Sequence, residues 1–92
     1  MLFFVQCIDK PGRQELRLAN RAAHLEYARA NLDKIVIGGP TQTEDRQGMT
    51  GSVFIVDFPD REAAEAFFAA DPYTKAGLFE AVIIRPYKKV LP

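Results

Sequence analysis

The chain has 92 residues, with twelve basic side chains, twelve acidic ones and a single histidine. That length predicts one domain over residues 1–92. The balanced charge gives no net field to draw nucleic acid or an anionic membrane, so neither is expected as a partner.

The N-terminus, Met1 to Val5, is apolar but too short for a signal peptide, and it lacks a basic lead-in. No stretch approaches the length of a membrane span. A soluble, reducing, cytoplasmic setting is the default expectation. Leu2 to Cys7 reads as a strand, apolar at both parities. Cys7 is the only cysteine and cannot form an intrachain disulfide. No Cys/His spacing points to a metal, so no metal and no cofactor are expected.

Asp9-Lys10-Pro11-Gly12 breaks the first strand. Residues from about Gln14 to Asn31 read as helix, with Leu18, Ala22, Leu25, Ala28 and Leu32 on one face. Lys34 to Ile37 is the second predicted strand, ended by Gly38-Gly39-Pro40, and Thr41 to Gly51 is a polar loop. Ser52 to Phe58 is the third strand. Asp60 is a good N-cap for the second helix, with Glu62 in its first turn. That helix carries Ala63, Ala64, Ala66, Phe67 and Phe68, and Asp71-Pro72 stops it, because proline disfavours helical geometry in the residue before it. Ala81 to Val90 is the fourth strand, and Pro86 argues for an edge position.

The order βαββαβ predicts an α+β, ferredoxin-like sandwich with antiparallel strand order 4-1-3-2 and both helices on one face. Strands 1 and 3 are apolar on both sides, whereas an open sheet facing water alternates. The helix-free face therefore needs a cover. A second copy of the chain is the simplest one, which predicts a homodimer through that face. The competing covers are the Thr41–Gly51 loop, which is polar, and the C-terminus.

Histidine changes charge near neutral pH, so His24 is the candidate for acid–base chemistry. Chain direction puts Asp9, Gly39-Pro40, Thr50-Gly51-Ser52 and Asp71-Pro72-Tyr73 at one end of the fold. A continuous first helix looks too long for the strands it crosses, so a break is expected, with Asn20 capping a second segment that brings His24 to the same end. Each motif has a plainer reading: a solvated histidine, a helix stop at Asp71-Pro72, a strand terminator at Gly38-Gly39-Pro40, a core tyrosine at Tyr73.

These residues together resemble the YCII-related family. The shared pattern is the first strand ending in Asp9, Arg21-Ala22-Ala23-His24-Leu25, Gly39-Pro40, Thr50-Gly51-Ser52, Glu62-Ala63-Ala64, Asp71-Pro72-Tyr73, Ala76-Gly77-Leu78-Phe79 and Arg85-Pro86-Tyr87-Lys88-Lys89-Val90. The resemblance implies a dimeric α/β-barrel of ferredoxin-like subunits, and a pocket pairing His24 with Asp71 or Asp9. A dehydrochlorinase of chlorinated hydroxyquinol degradation is similar, and neighbouring barrel families include lactone isomerases and cofactor-free monooxygenases. Fold-level analogy alone carries little functional weight.

The expected function is a cofactor-independent enzyme acting by elimination or isomerisation on a small, polar, cyclic or aromatic molecule. His24 would move the proton, and Asp71 first or Asp9 second would orient it. Ser52 and backbone N–H groups near Gly39 would bind a developing oxyanion, Pro40 would lie beside them at the substrate, and Tyr73 would offer an aromatic wall and a hydroxyl. The alternative is a non-enzymatic dimeric module for a small ligand or a partner protein, which needs the same cleft but no proton transfer.

Overall fold

Phe3, Val5 and Cys7 alternate with Leu2, Phe4, Gln6 and Ile8, so a strand over these residues sends the two sets to opposite faces. In the computed structural model, which describes all 92 residues, the first set is buried and the second is not. The strand, β1, covers Leu2–Asp9. It is followed by α1 (Gln14–Arg29), a 3₁₀ turn (Leu32–Lys34), β2 (Ile35–Gln42) and β3 (Met49–Asp57). Then come α2 (Arg61–Ala69), the single turn α3 (Pro72–Lys75) and β4 (Phe79–Tyr87).

The strands form one sheet in the order β2-β3-β1-β4, which is the expected 4-1-3-2 order, and every pairing is antiparallel. Pro86 lies in β4, an edge strand, where its missing N–H costs no ladder bond. The core is made by Phe3, Val5, Cys7, Phe54, Val56 and Phe58 against Ala64 and Phe68 of α2. The register pairs Phe3 with Val56 and Val5 with Phe54, so these residues share one face. Asp60 caps α2 by accepting from the Ala63 N–H at 2.8 Å. Tyr27 of α1 donates to the Phe67 carbonyl at 2.6 Å and stacks on its ring, tying the two helices together.

Several expectations about the local elements are corrected. α1 is continuous, and Asn20 does not cap a second segment; its side chain bonds back to the Leu16 carbonyl inside the helix. The first three strands are longer than the sequence implied, at eight or nine residues. Strands of that length run roughly 27–30 Å, so a helix of about 24 Å lies along them without a break. β2 does not stop at Ile37 but runs through Gly38-Gly39-Pro40 to Gln42, and β3 opens at Met49, which shortens the polar loop. β4 starts and ends earlier than expected.

Gly38 explains why β2 can continue. A β-carbon there would lie 2.3 Å from the Phe54 ring, so only glycine lets the strand pass over that core side chain. Gly51 likewise sits where a β-carbon would meet the Cys7 carbonyl at 2.1 Å.

The apolar stripe of α1 is not its buried face. Leu18 is 58 % exposed and Leu32, just beyond the helix, 62 %, while the residues α1 buries are Arg17 and His24. Each of these polar side chains has a carboxylate partner, which makes its burial tolerable.

Candidate functional site

Arg17 and His24 lie seven residues apart on α1, which puts them on one helix face two turns apart. The ring of Tyr73 meets both. It stacks on the His24 imidazole, with centroids 4.1 Å apart and planes 16° apart, and the Arg17 Cζ lies 4.6 Å from its centroid. Tyr73 is held there by local geometry. Asp71 is the N-cap of α3, Pro72 its first residue, and the Asp71 carboxylate accepts the Tyr73 N–H at 2.9 Å.

The same carboxylate bonds His24. Asp71 Oδ1 lies 2.9 Å and Oδ2 3.0 Å from His24 Nδ1. Asp71 is buried and His24 only 8 % exposed. A carboxylate at Nδ1 selects the tautomer with the proton on that nitrogen and leaves Nε2 as the acceptor. Nε2 has no protein partner, yet it is not sealed from solvent, and His24 lines a cavity of about 280 Å³.

Asp9, the second expected partner of His24, is committed elsewhere. It forms a two-pronged pair with Arg17, whose Nη2 also donates to Ser52 Oγ at 3.1 Å. The end of β1, the start of β3 and α1 are thereby joined by one buried cation. Burial alone would depress the Arg17 guanidinium, but the hydrogen bonds and charge of Asp9 outweigh it and hold it above its ordinary value. Burial raises the Tyr73 phenol, and the charges of Arg17 and Arg21 partly oppose the rise.

The cavity lies between α1 and the β2–β3 side of the sheet. Gly39, Pro40, Ser52 and Tyr73, all expected at the site, line it together with His24. Gly39 lies in mid-strand on β2 rather than in a terminating turn. Ser52 accepts from Arg17 and keeps its own hydroxyl proton for another acceptor. Phe54 forms part of the wall, edge-on to His24 at 6.2 Å.

Sequence reasoning missed Arg17, along with Arg21, Arg29 and Met49 of the wall. Arg17 had a signal: Asp9, at the end of a central strand, calls for a cation, and Arg17 shares the helix face of His24. Arg21 stood in the family pattern beside His24 with no role attached, and Arg29 had no signal beyond composition.

Fold and site together define a ferredoxin-like α+β protein whose helix-side cavity carries a carboxylate-held histidine. The chain belongs to the YCII-related family, whose domain model matches residues 1–88. It is 38 % identical over 97 aligned positions to the protein YciI of Escherichia coli O6:H1, covering 98 % of this chain and 99 % of that one. An uncharacterized protein of Haemophilus influenzae is 34 % identical with the same coverage.

Among solved structures, 5-chloro-2-hydroxyhydroquinone dehydrochlorinase (TftG) of Burkholderia phenoliruptrix, in complex with 2,5-dihydroxybenzoquinone, is 40 % identical. It superposes with a TM-score of 0.89 over 96 % of this chain and 94 % of that one. PA3566 of Pseudomonas aeruginosa shares the fold alone: it is 16 % identical, with a TM-score of 0.56 over 98 % of this chain and 93 % of that one.

Proposed function

We propose that this chain is a cofactor-independent enzyme that moves a proton on a small, hydroxylated ring compound, in an elimination or isomerisation. The observation that carries this reading is the His24–Asp71 pair, with Nδ1 at 2.9 Å from the carboxylate and Nε2 left free on the cavity wall. Nε2 is the base that takes the proton from the ring. Asp71 holds the Nδ1–H tautomer and balances the imidazolium that forms. As the pair of electrons left by the proton moves into the ring, either a leaving group departs with its own bonding electrons or His24 returns the proton to a different carbon. Ser52 donates its hydroxyl to the oxygen on which charge develops, and Arg17 fixes Ser52 in place. Tyr73, stacked on the imidazole, backs His24 and fixes the plane of its ring.

The dehydrochlorinase named above supports a hydroxylated-ring substrate for this chain. The binding-module alternative expects a solvated imidazole, and the burial of His24 against Asp71 favours the enzyme. We infer further that the functional unit is a homodimer. Phe4, Val53 and Ile55 on the helix-free face each keep part of their surface in solvent, and Ile37 is 66 % exposed. A single unpaired Cys7 agrees with a reducing, cytoplasmic setting.

The test is chloride release from 5-chloro-2-hydroxyhydroquinone by the wild-type chain and by His24→Gln. Turnover that His24→Gln lowers by about 10²-fold or more is the expected result. A variant as active as the wild type overturns the reading.

A further inference from the structure

The wall of the His24 cavity contains no carboxylate residue, but it contains three arginines, Arg17, Arg21 and Arg29. Asp9 balances Arg17. Arg21 and Arg29 are exposed, and neither enters any ion pair or side-chain hydrogen bond of the chain. Arg21 precedes His24 by three residues on α1 and Arg29 follows it by five. The two therefore flank it along the helix, at roughly 4.5 Å and 7.5 Å of rise. With Asp71 behind the imidazole, the cavity keeps one excess positive charge when His24 is neutral and two when it is protonated.

Apart from the Ser52 hydroxyl, the rest of the wall is largely apolar, including Leu25, Ala28, Ile35, Pro40, Met49 and Phe54. A cleft with low-dielectric walls and charge of one sign focuses its field and concentrates the opposite charge. A guanidinium with no partner in the chain presents its fork of donors to a planar oxyanion. A volume of about 280 Å³ suits one substituted ring.

We propose that the ligand of this cavity is a single-ring organic anion, whose ionised oxygen group is held by Arg21 and Arg29. Its ring lies against the apolar wall, which brings its reacting carbon to His24 Nε2. The proposal rests on the acid–base reading above and narrows its substrate to an acid.

The experiment is titration of ¹⁵N-labelled full-length chain, followed by amide NMR, with salicylate, with the neutral salicylamide and with inorganic phosphate. Salicylate should give saturable shifts around Ser52, Gly39 and Tyr73, and salicylamide should bind at least about tenfold more weakly. Arg21→Gln and Arg29→Gln should each weaken salicylate by about tenfold. Lys89→Gln, which removes the same charge outside the cavity, should leave it unchanged. Both arginines are exposed, so an unchanged spectrum of the free variants verifies that they fold.

Equal binding of salicylate and salicylamide overturns the proposal, and so does an Arg21→Gln/Arg29→Gln double variant that binds like the wild type. Phosphate binding as tight as salicylate removes the ring from it. His24→Gln separates this proposal from the one it rests on. That variant should still bind salicylate. Loss of binding there alone would put the anion on the imidazolium and sink the arginine site, leaving the His24–Asp71 chemistry standing. Retained turnover in His24→Gln would sink the chemistry and leave the anion site standing.

Discussion

Arg17 and Asp9 face each other through two parallel hydrogen bonds, Nε to Oδ2 at 2.7 Å and Nη2 to Oδ1 at 2.9 Å, with both side chains almost wholly out of water. The pair joins the middle of the sheet to the helix that carries His24. Asp9→Ala leaves a buried guanidinium uncompensated, and such a loss costs about 3–5 kcal/mol. Urea unfolding should show a drop of that order. A loss under about 1 kcal/mol, the size of a surface pair, would mean that water reaches Arg17 freely.

Asp71 does two jobs that substitutions can separate. Its carboxylate holds His24 and also caps α3 through the Tyr73 N–H. Asparagine caps a helix about as well as aspartate, so Asp71→Asn should keep its melting temperature while kcat falls by about 10²–10⁴. Asp71→Ala should lose the same activity and about 1 kcal/mol of stability besides. Steady-state kinetics beside thermal melts check both, and an Asp71→Asn enzyme with full kcat would relegate Asp71 to the cap.

The topology was legible because β1 and β3 are apolar at both parities and the turns between elements are rich in Gly, Pro and Asp. Pro86 marked the edge strand and Asp60 the start of α2, each for a local reason that tertiary packing did not overrule. The orientation of α1 was not legible. Hydrophobic periodicity assumes that the inward face is the apolar one, and here the inward face carries Arg17 and His24, made compatible with burial by Asp9 and Asp71 from distant strands and turns. Those pairings are spatial, with no sequence period. The supposed break at Asn20 came from strands read too short, since Gly38-Gly39-Pro40 looked like a stop. The space that Gly38 leaves for the Phe54 ring is a contact between strands, invisible along the chain.

Cys7 gives a pH prediction. Burial first, and the nearby Asp71 charge second, push its thiol up to about 12, against 9.0 for a free thiol. In the folded chain it stays protonated at pH 8, so alkylation by iodoacetamide should be slow until urea unfolds the chain. The sign for stability follows from the same shift. The unfolded thiol ionises from about pH 9 while the folded one does not, so its contribution is whole below pH 9 and declines as pH rises toward 12. Cys7→Ala should flatten part of the alkaline fall in the urea midpoint, the remainder belonging to Tyr73 and Tyr27, whose phenols burial also raises. Fast alkylation of the folded chain at pH 8 would contradict the burial of Cys7.

The helix-free face carries the last prediction. Phe3, Val5, Cys7, Phe54 and Val56 point to the helices, so Phe4, Gln6, Val53 and Ile55 point the other way, with Phe4 opposite Ile55 and Gln6 opposite Val53 on the two central strands. Ile37 extends this surface onto β2, and Ile83 onto β4. An apolar surface across four strands is one that a second copy would bury. Ile55→Asp places a charge at its centre. Ile55 is outside the buried core, so the variant should fold with unchanged circular dichroism. In a dimer the aspartate would be buried with no partner, and the interface should fail. Sedimentation at micromolar concentration should give twice the chain mass for the wild type and the 10.3 kDa of a single chain for the variant. A wild-type chain that sediments at the single-chain mass, or an Ile55→Asp chain that still pairs, would show that this face is not where two copies meet.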